Sequence, residues 1–214
     1  MKGFSKLFVS ISLTFSLVLM MTVAGYANNN LDEEVLESGQ VKVTVTNDQT
    51  GETHVIDQED LEINTKVKPF RSNDNSINVG YDVFIPLEEI KSEISPFTVE
   101  GGLKTSGGIT AKLYVDYDVS SDNQKVRLNK VYGSWTPTSS LYYTTNRSVT
   151  AHTGTSAYGK KITKKPPSNF SYTTGWGYNV RIWGSSAPRA WSTATAHVNG
   201  MSGTHTIKVE FTYS

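Results

Sequence analysis

The sequence predicts an all-β protein, with an antiparallel β-sandwich or partly closed barrel in the C-terminal region. A small β-rich acidic region with one short helix is predicted to precede it. Apolar and polar residues alternate over several short stretches, which is the period of a half-buried strand, and turns rich in Gly, Ser and Asn separate these stretches. The 214 residues include no Cys, so a packed core rather than disulfides must stabilise the fold.

Residues 28–100 contain the first predicted strands. Asn47–Gly51 has the composition of a turn, so the strands on either side of it are expected to form a hairpin. Pro86 is suited to the start of a helix, and Leu87, Ile90 and Ile94 follow it at helical spacing, which predicts the short helix. The predicted strands of this region are Val41–Val45, Thr53–Ile56, Leu61–Val67 and Val79–Ile85.

The clearest strand signal opens the second region, residues 101–214. The odd positions of Ile109–Val119 are apolar and the even positions are mostly polar. Ser120–Asn123 predicts a turn, and Lys125–Trp135 predicts the returning strand. The hairpin is therefore expected to bury one face and to expose the other.

The register of this hairpin is expected to place Val119 opposite Gln124. Cross-strand ion pairs on the solvent side would then stabilise the hairpin. The expected pairs are Asp118 with Lys125 and Asp116 with Arg127, and the residues expected on the apolar face of the returning strand are Val126, Leu128 and Tyr132.

Further strands are predicted towards the C-terminus. In the last hairpin, pairing Ala196 with Ile207 and Ala194 with Val209 gives the best apolar match. This register places His205 on the core face and His197 on the opposite face. The remaining predicted strands are Leu141–Thr145, Arg147–Thr153, a long strand over Tyr172–Ile182, Ser192–Val198 and Thr204–Tyr213.

Residues 1–27 have the composition of a secretory signal peptide. Lys2 and Lys6 make the start positive, an apolar stretch runs from Leu7 to Val23, and small residues precede a cleavage site after Ala27. Ser and Thr interrupt the apolar stretch, which is shorter than the ~20 apolar residues that a membrane-spanning helix needs. The mature protein is expected to be secreted.

The formal net charge is zero only in sum. Residues 28–100 carry 16 acidic and 5 basic side chains, a net charge of −11, whereas residues 101–214 carry 4 acidic and 13 basic side chains, a net charge of +9. All four Trp lie in the second region. The predicted organisation is a signal peptide at 1–27, an acidic region at 28–100 and a basic aromatic-rich β domain at 101–214. The acidic region is predicted to be either a pro-region or an extra β layer.

Metal sites are not predicted. His197 and His205 diverge in the expected register, and a zinc site would also need a third ligand, for which only His152 is an obvious candidate. The acidic spacing at Asp116–Asp122 resembles that of a calcium loop, but Ser121 and Arg127 replace the Gly and Glu that such a loop requires. We therefore expect no metal or other cofactor.

No catalytic motif is present in the sequence. Neither Gly-x-Ser-x-Gly nor His-Glu-x-x-His occurs, and the basic region has only four carboxylates. A secreted hydrolase using Asp116 and Glu210 remains an alternative that no motif supports. The protein is therefore predicted not to be an enzyme.

The strongest functional signal is the basic segment Lys160–Pro167, which has four Lys in six residues before Pro-Pro and predicts an exposed loop. Lysines beside aromatic residues suit an anionic polymer or membrane. Among the aromatic residues, Tyr172, Trp176 and Tyr178 share an apolar strand face and are expected in the core. The predicted binding residues are Lys160, Lys161, Lys164, Lys165, Trp183 and Trp191.

These observations predict a secreted, non-enzymatic protein whose basic β domain binds an anionic cell-surface polymer or membrane. Nucleic acid is not an expected partner, because secretion makes wall polymers and anionic lipids the more available targets. In composition the basic region is similar to the secreted, Cys-free bacteriocins of Gram-positive bacteria, so an antimicrobial or toxin-like precursor with an acidic pro-region is one form of this hypothesis. The alternative is a secreted structural or interaction module that is not processed.

Overall fold

The computed structural model describes residues 41–56, 63–65, 76–87, 107–155 and 159–213. All of them belong to one compact unit, residues 35–214, and the predicted signal peptide at 1–27 lies outside the described residues. No helix in the described part is long and apolar enough to cross a membrane.

Twelve strands in the described part form two antiparallel sheets. Sheet 1 has the strand order β2-β1-β12-β11-β7-β8, and sheet 2 has the order β10-β6-β5-β4-β3 with β9 also paired to β6. The all-β prediction and the antiparallel pairing are therefore confirmed. The strands are β1 Val41–Asn47, β2 Thr53–Ile56, β3 Ile63–Thr65, β4 Ser76–Pro86, β5 Gly108–Val119, β6 Lys125–Pro137, β7 Tyr142–His152, β8 Lys161–Lys164, β9 Asn169–Thr173, β10 Asn179–Val180, β11 Arg189–Val198 and β12 Thr204–Thr212.

One hydrophobic core contains side chains from both sheets. The ring of Tyr81 in sheet 2 meets the ring of Phe211 in sheet 1 edge-on, with centroids 5.0 Å apart. The indole Nε1 of buried Trp135 in sheet 2 donates a hydrogen bond of 2.9 Å to Ser192 Oγ in sheet 1. The hydrogen bond gives the buried indole N–H of Trp135 a partner, and both contacts join the apolar face of sheet 1 to that of sheet 2.

Strands from the acidic region take part in both sheets. In sheet 1, β1 lies between β2 and β12, and in sheet 2, β4 lies between β3 and β5. Alternate residues of β1 and β4 are buried in the shared core because a strand directs successive side chains to opposite faces. These buried residues are Val41, Val43, Val45, Tyr81, Val83 and Ile85.

The first hairpin of the basic region has the predicted strands but a different register. Asp118 lies opposite Arg127, and the two side chains form an ion pair, whereas Asp116 lies opposite Lys130. The turn is longer than predicted, because Ser120 N–H donates to Lys125 O at 2.9 Å and Asn123 adopts a left-handed φ of 60°. The expected pairs of Asp118 with Lys125 and Asp116 with Arg127 are wrong.

A bulge in the same hairpin shifts the faces of β6. The register changes between Asp116 and Tyr117, so one residue of β6 is left without a direct partner on β5. Val131 therefore faces the core, and Tyr132 lies on the outer face, where its ring stacks on Tyr114. The prediction that Tyr132 shares a face with Val126 and Leu128 is wrong for this reason.

The last hairpin also differs in register. Ala194 lies opposite Ile207, two residues from the predicted pairing, because Gly200 at φ 82° allows a tight turn in which Met201 N–H donates to Val198 O. A shift of two residues keeps the faces unchanged. His205 therefore lies opposite Ala196 and His197 opposite Thr204, which confirms that the two imidazoles diverge.

The predicted long strand Tyr172–Ile182 is wrong. The chain forms β9 and the short β10 with a break between them, where Gly175 adopts φ 65° and Thr174 N–H donates to Asn129 O. Tyr178 is 40% exposed instead of contributing to the core. Leu141–Thr145 and Arg147–Thr153, in contrast, belong to the single strand β7.

The predicted short helix is not seen. Pro86 is the last residue of β4, where its missing N–H does not interrupt a longer ladder, and residues 88–94 lie outside the described part. The helical structure in the described residues is a single 3₁₀ turn at Gly184–Ser186.

Candidate functional site

The four clustered lysines lie on and beside the edge strand β8. His152 lies opposite Lys161 and Val149 opposite Lys164, so the prediction of a loop is wrong for Lys161–Lys164. The strand forms because Ile162 lies opposite buried Ala151 and packs against the core, while the lysines extend at the edge. The expected exposure is confirmed for all four lysines, which are Lys160, Lys161, Lys164 and Lys165.

Trp191 lies on the outer face of β11, which β7 separates from the edge strand β8, and it is half-buried. Lys161 Nζ lies 5.7 Å from the centre of its ring, and Lys208 Nζ lies 5.3 Å from it. Both distances are within the range of cation–π attraction. The structure therefore brings together Lys161 and Trp191, two of the predicted binding residues, and adds Lys208.

A buried charge cluster supports this surface. Glu210 Oε1 lies 3.4 Å from Arg189 Nη1, and the other Glu210 oxygen forms an ion pair with Lys208. Arg189 Nη2 also donates a hydrogen bond of 3.0 Å to Ser185 O. Glu210 therefore pairs with two cations, Arg189 and Lys208, and Lys161 adds a third cation beside Trp191, so the local charge is positive.

His152 is buried on β7, directly opposite Lys161 on β8 and next to the same charge cluster. Its ring meets Trp191 edge-on at 5.7 Å, and its Nδ1 accepts a hydrogen bond of 3.0 Å from Gly154 N–H. Burial, followed by the cations Arg189 and Lys161, lowers the pKa of His152 from 6.5 to about 4. The imidazole is therefore neutral at physiological pH.

Trp183 lies apart from the Trp191 cluster. Its side chain is 59% exposed and packs against the guanidinium of Arg181 at 5.5 Å. The turn that follows Trp183 contacts the segment before β8, since Thr155 N–H donates a hydrogen bond to Ser186 O. The same segment also contacts Lys160, whose carbonyl oxygen accepts a hydrogen bond from Thr153 N–H. Trp183 and Lys160 therefore flank the same short segment.

Sequence reasoning missed Lys208, Arg189 and Tyr178. The guanidinium of Arg127 lies 4.9 Å from the Tyr178 ring, a contact that depends on the break between β9 and β10. Lys208 was missed because the predicted register of the last hairpin was displaced by two residues. Correct pairing of β11 with β12 places Glu210 opposite Trp191, and Lys208 lies two residues away on the same face.

The two carboxylates considered for catalysis, Asp116 and Glu210, lie on different sheets. Asp118 pairs with Arg127, and Asp116 accepts a hydrogen bond from Asn78, both on the outer face of sheet 2. Glu210 lies on sheet 1. Within the described ranges there is no group of three or more His, Asp or Glu side chains that could hold a metal ion. The chain matches no protein-family model, no curated protein and no solved structure.

Proposed function

We propose that the protein is an exported, non-enzymatic binding protein whose basic surface attaches it to an anionic cell-surface polymer or membrane. The observation that carries this proposal is the position of Trp191 between two cations, Lys161 from the edge strand β8 and Lys208 from β12. Lys160, Lys164 and Lys165 are exposed at the same edge, with Lys164 on the opposite face of β8 from Lys161. We call Lys160, Lys161, Lys164, Lys165 and Lys208, together with Trp191, the basic edge.

The chemistry of the basic edge suits phosphate or carboxylate groups held at a surface. A lysine near an anionic surface contributes about 1 kcal/mol of attraction, which salt screens. The indole of Trp191 adds an amphipathic ring that tolerates a boundary between water and an apolar or polymeric layer. Trp183 is the second aromatic residue proposed to contact the partner.

We also infer that the two sheets are the layers of a sandwich and that residues 28–100 are a permanent part of it. Support comes from the position of β1 and β4 inside the sheets, with buried side chains such as Val43 and Val83. Removal of this region would leave the ladder edges of β12 and β5 unpaired. This observation favours a module that is not processed over an acidic mask that is cleaved.

The test replaces the four edge lysines, Lys160, Lys161, Lys164 and Lys165, by Gln in the mature chain. The matched control replaces Lys42, Lys112, Lys125 and Lys130 on β1, β5 and β6 by Gln, which changes the net charge equally and leaves β8 unaltered. The probes are vesicles containing phosphatidylglycerol and a soluble teichoic acid, each titrated at low and high salt. We expect the edge variant to bind at least one probe about tenfold more weakly at low salt, with a flatter salt dependence, while the control stays within about twofold.

Equal loss in the edge variant and the control would contradict a local site and would indicate attraction by net charge alone. Failure of the unaltered protein to bind either probe at low salt would contradict the proposed function.

A further inference from the structure

An aromatic platform lies at the opposite end of β11 from Trp191. Tyr143 and His197 face each other across β7 and β11, and their rings stack with centroids 4.5 Å apart and planes inclined by 6°. Tyr143 is 42% exposed, although His197 covers one face of its ring. His197 Nε2 is fixed in turn by a hydrogen bond of 2.7 Å to Thr145 Oγ1. The platform is therefore rigid and accessible.

A β-bulge directs this platform to the outer face. The register of β7 against β11 shifts between Thr193 and Thr195, and Asn146 on β7 adopts a left-handed φ of 47°. Val149 and buried Tyr142 both face the core although they are an odd number of residues apart, so the bulge is what turns Tyr143 and Thr145 outward. Left-handed backbone at a residue other than Gly is uncommon and is often found at binding sites.

Hydroxyl groups continue from the platform across the sheet. Thr145, Thr195, Thr206, Thr46 and Thr53 are cross-strand neighbours on β7, β11, β12, β1 and β2. Strands about 4.8 Å apart make this row about 19 Å long. Asn146 Nδ2 lies 3.4 Å from Thr195 Oγ1, so an amide joins the row next to Tyr143.

The row contains no Lys, Arg, Asp or Glu side chain. The carboxylate of Asp48 meets the row at its middle, where it accepts a hydrogen bond from Thr206 and another from the neighbouring Thr204. An anionic partner gains nothing from such a surface, whereas a partner with many uncharged hydroxyls finds both donors and acceptors. The row lies on the same outer face of sheet 1 as Trp191 and Lys208, and it differs from the basic edge in having uncharged hydroxyl side chains.

We propose that Tyr143, His197, Thr145, Asn146 and Thr195 form a binding site for a neutral polysaccharide. A pyranose ring presents a flat C–H face that packs on the side of Tyr143 not covered by His197, and the next sugar units pass over the edges of the two rings so that their hydroxyls bond to Asn146 and the threonine row. The length of the row accommodates several sugar units lying across the strands. The proposal goes beyond the proposed function, because its partner carries no charge.

The test measures binding of the mature chain to insoluble cellulose and chitin and to their soluble oligosaccharides. The variants are Tyr143→Ala, Tyr143→Phe and Thr195→Val, and the control is Tyr178→Ala, which removes a ring that is 40% exposed on the other sheet. We expect Tyr143→Ala and Thr195→Val to weaken binding, the former about tenfold, while Tyr143→Phe and Tyr178→Ala keep it within about threefold. Binding is expected to be unchanged at high salt.

Thermal unfolding of each variant distinguishes lost binding from lost structure, and Tyr143→Phe keeps the ring if Tyr143→Ala fails to fold. The proposal would be overturned if the protein bound neither of the insoluble polysaccharides, or if it bound none of the soluble oligosaccharides. Equal loss in Tyr143→Ala and Tyr178→Ala would also overturn it. If the protein does not bind phosphatidylglycerol vesicles but does bind sugars, the proposed function of the basic edge fails and the sugar-binding site is supported.

Discussion

At the scale of single residues, the most informative group is His152. It is buried beneath Lys161, next to Arg189, and its Nδ1 already accepts the Gly154 N–H. Burial disfavours the charged imidazolium, and the neighbouring cations Arg189 and Lys161 disfavour it further, which explains why the pKa of His152 is lowered to about 4. The fold therefore requires a neutral imidazole at this position.

This requirement predicts a loss of stability in acid. In the unfolded chain His152 takes up a proton near its ordinary pKa of 6.5, whereas in the folded protein it does so only near 4. The free energy of unfolding should therefore fall as the pH drops from 6.5 to about 4, and His152 has no effect above this range. Urea unfolding of the wild type and of His152→Gln at neutral pH and at about pH 5 measures the effect, and the variant should lose less stability between the two.

His54, exposed on the edge strand β2, supplies the control. His54→Gln should leave the acid sensitivity of the wild type unchanged. If His152→Gln and the wild type lose the same stability, the buried neutral imidazole is not what makes the fold acid-sensitive.

At the scale of elements, the lysines of β8 have a second role. An edge strand offers unpaired backbone groups to other chains, and lysine side chains are a common protection against such pairing. Lys161 and Lys164 stand on the outermost described strand of sheet 1. The proposed binding and the protection from self-association would therefore use the same side chains.

Replacing Lys161 and Lys164 by Thr should expose a competent strand edge. We expect concentration-dependent dimers or larger species in sedimentation velocity, because Thr favours strands and removes the charge repulsion. The matched control is Lys42→Thr with Lys130→Thr, since β1 and β6 each have strand neighbours on both sides. Equal association of both double variants would indicate that lost charge, not an opened edge, is the cause.

At the scale of the whole molecule, the acidic and basic regions form one core. Val43, Val83 and Tyr81 from the acidic region are buried with Trp135 and Phe211 from the basic region. The −11 and +9 regions are therefore neighbours within one folded unit, and the near-zero net charge of the chain is a property of that unit. This is the physical argument against an acidic region that is later removed.

A chain of residues 101–214 alone should not fold cooperatively. It would lack β1 to β4 and would expose the apolar faces that these strands cover. We expect weak near-UV circular dichroism, binding of a hydrophobic dye and no sharp urea transition, in contrast to residues 28–214. The proposed export, without later processing, predicts a product with the intact mass of a chain that begins at Asn28. A cooperative transition for 101–214, or a natural product lacking the acidic region, would favour the pro-region hypothesis.

Strand positions were predictable where side chains alternate, and registers were not. The alternation of Ile109–Val119 directly reports which face is buried, and β5 has the predicted bounds to within one residue. The bulges of β6 and β7 and the left-handed Asn123, Asn146 and Gly200 leave no periodic signal, yet each moves its strand against a neighbour. The platform at Tyr143 could not be found from the sequence for this reason.

The sequence by itself determined the all-β class, the alternation of apolar and polar residues along strands, the division into an acidic and a basic region, and the exposure of the four lysines. Each of these depends on composition or on a local period. Only the tertiary structure decided that Lys208 joins Lys161 around Trp191, that Tyr143 stacks on His197, and that β1 and β4 lie inside the sheets. These features depend on pairing between strands far apart in the chain. Turns and bulges of one or two residues set that pairing, and their energies are too small and too local to appear as a pattern in the sequence.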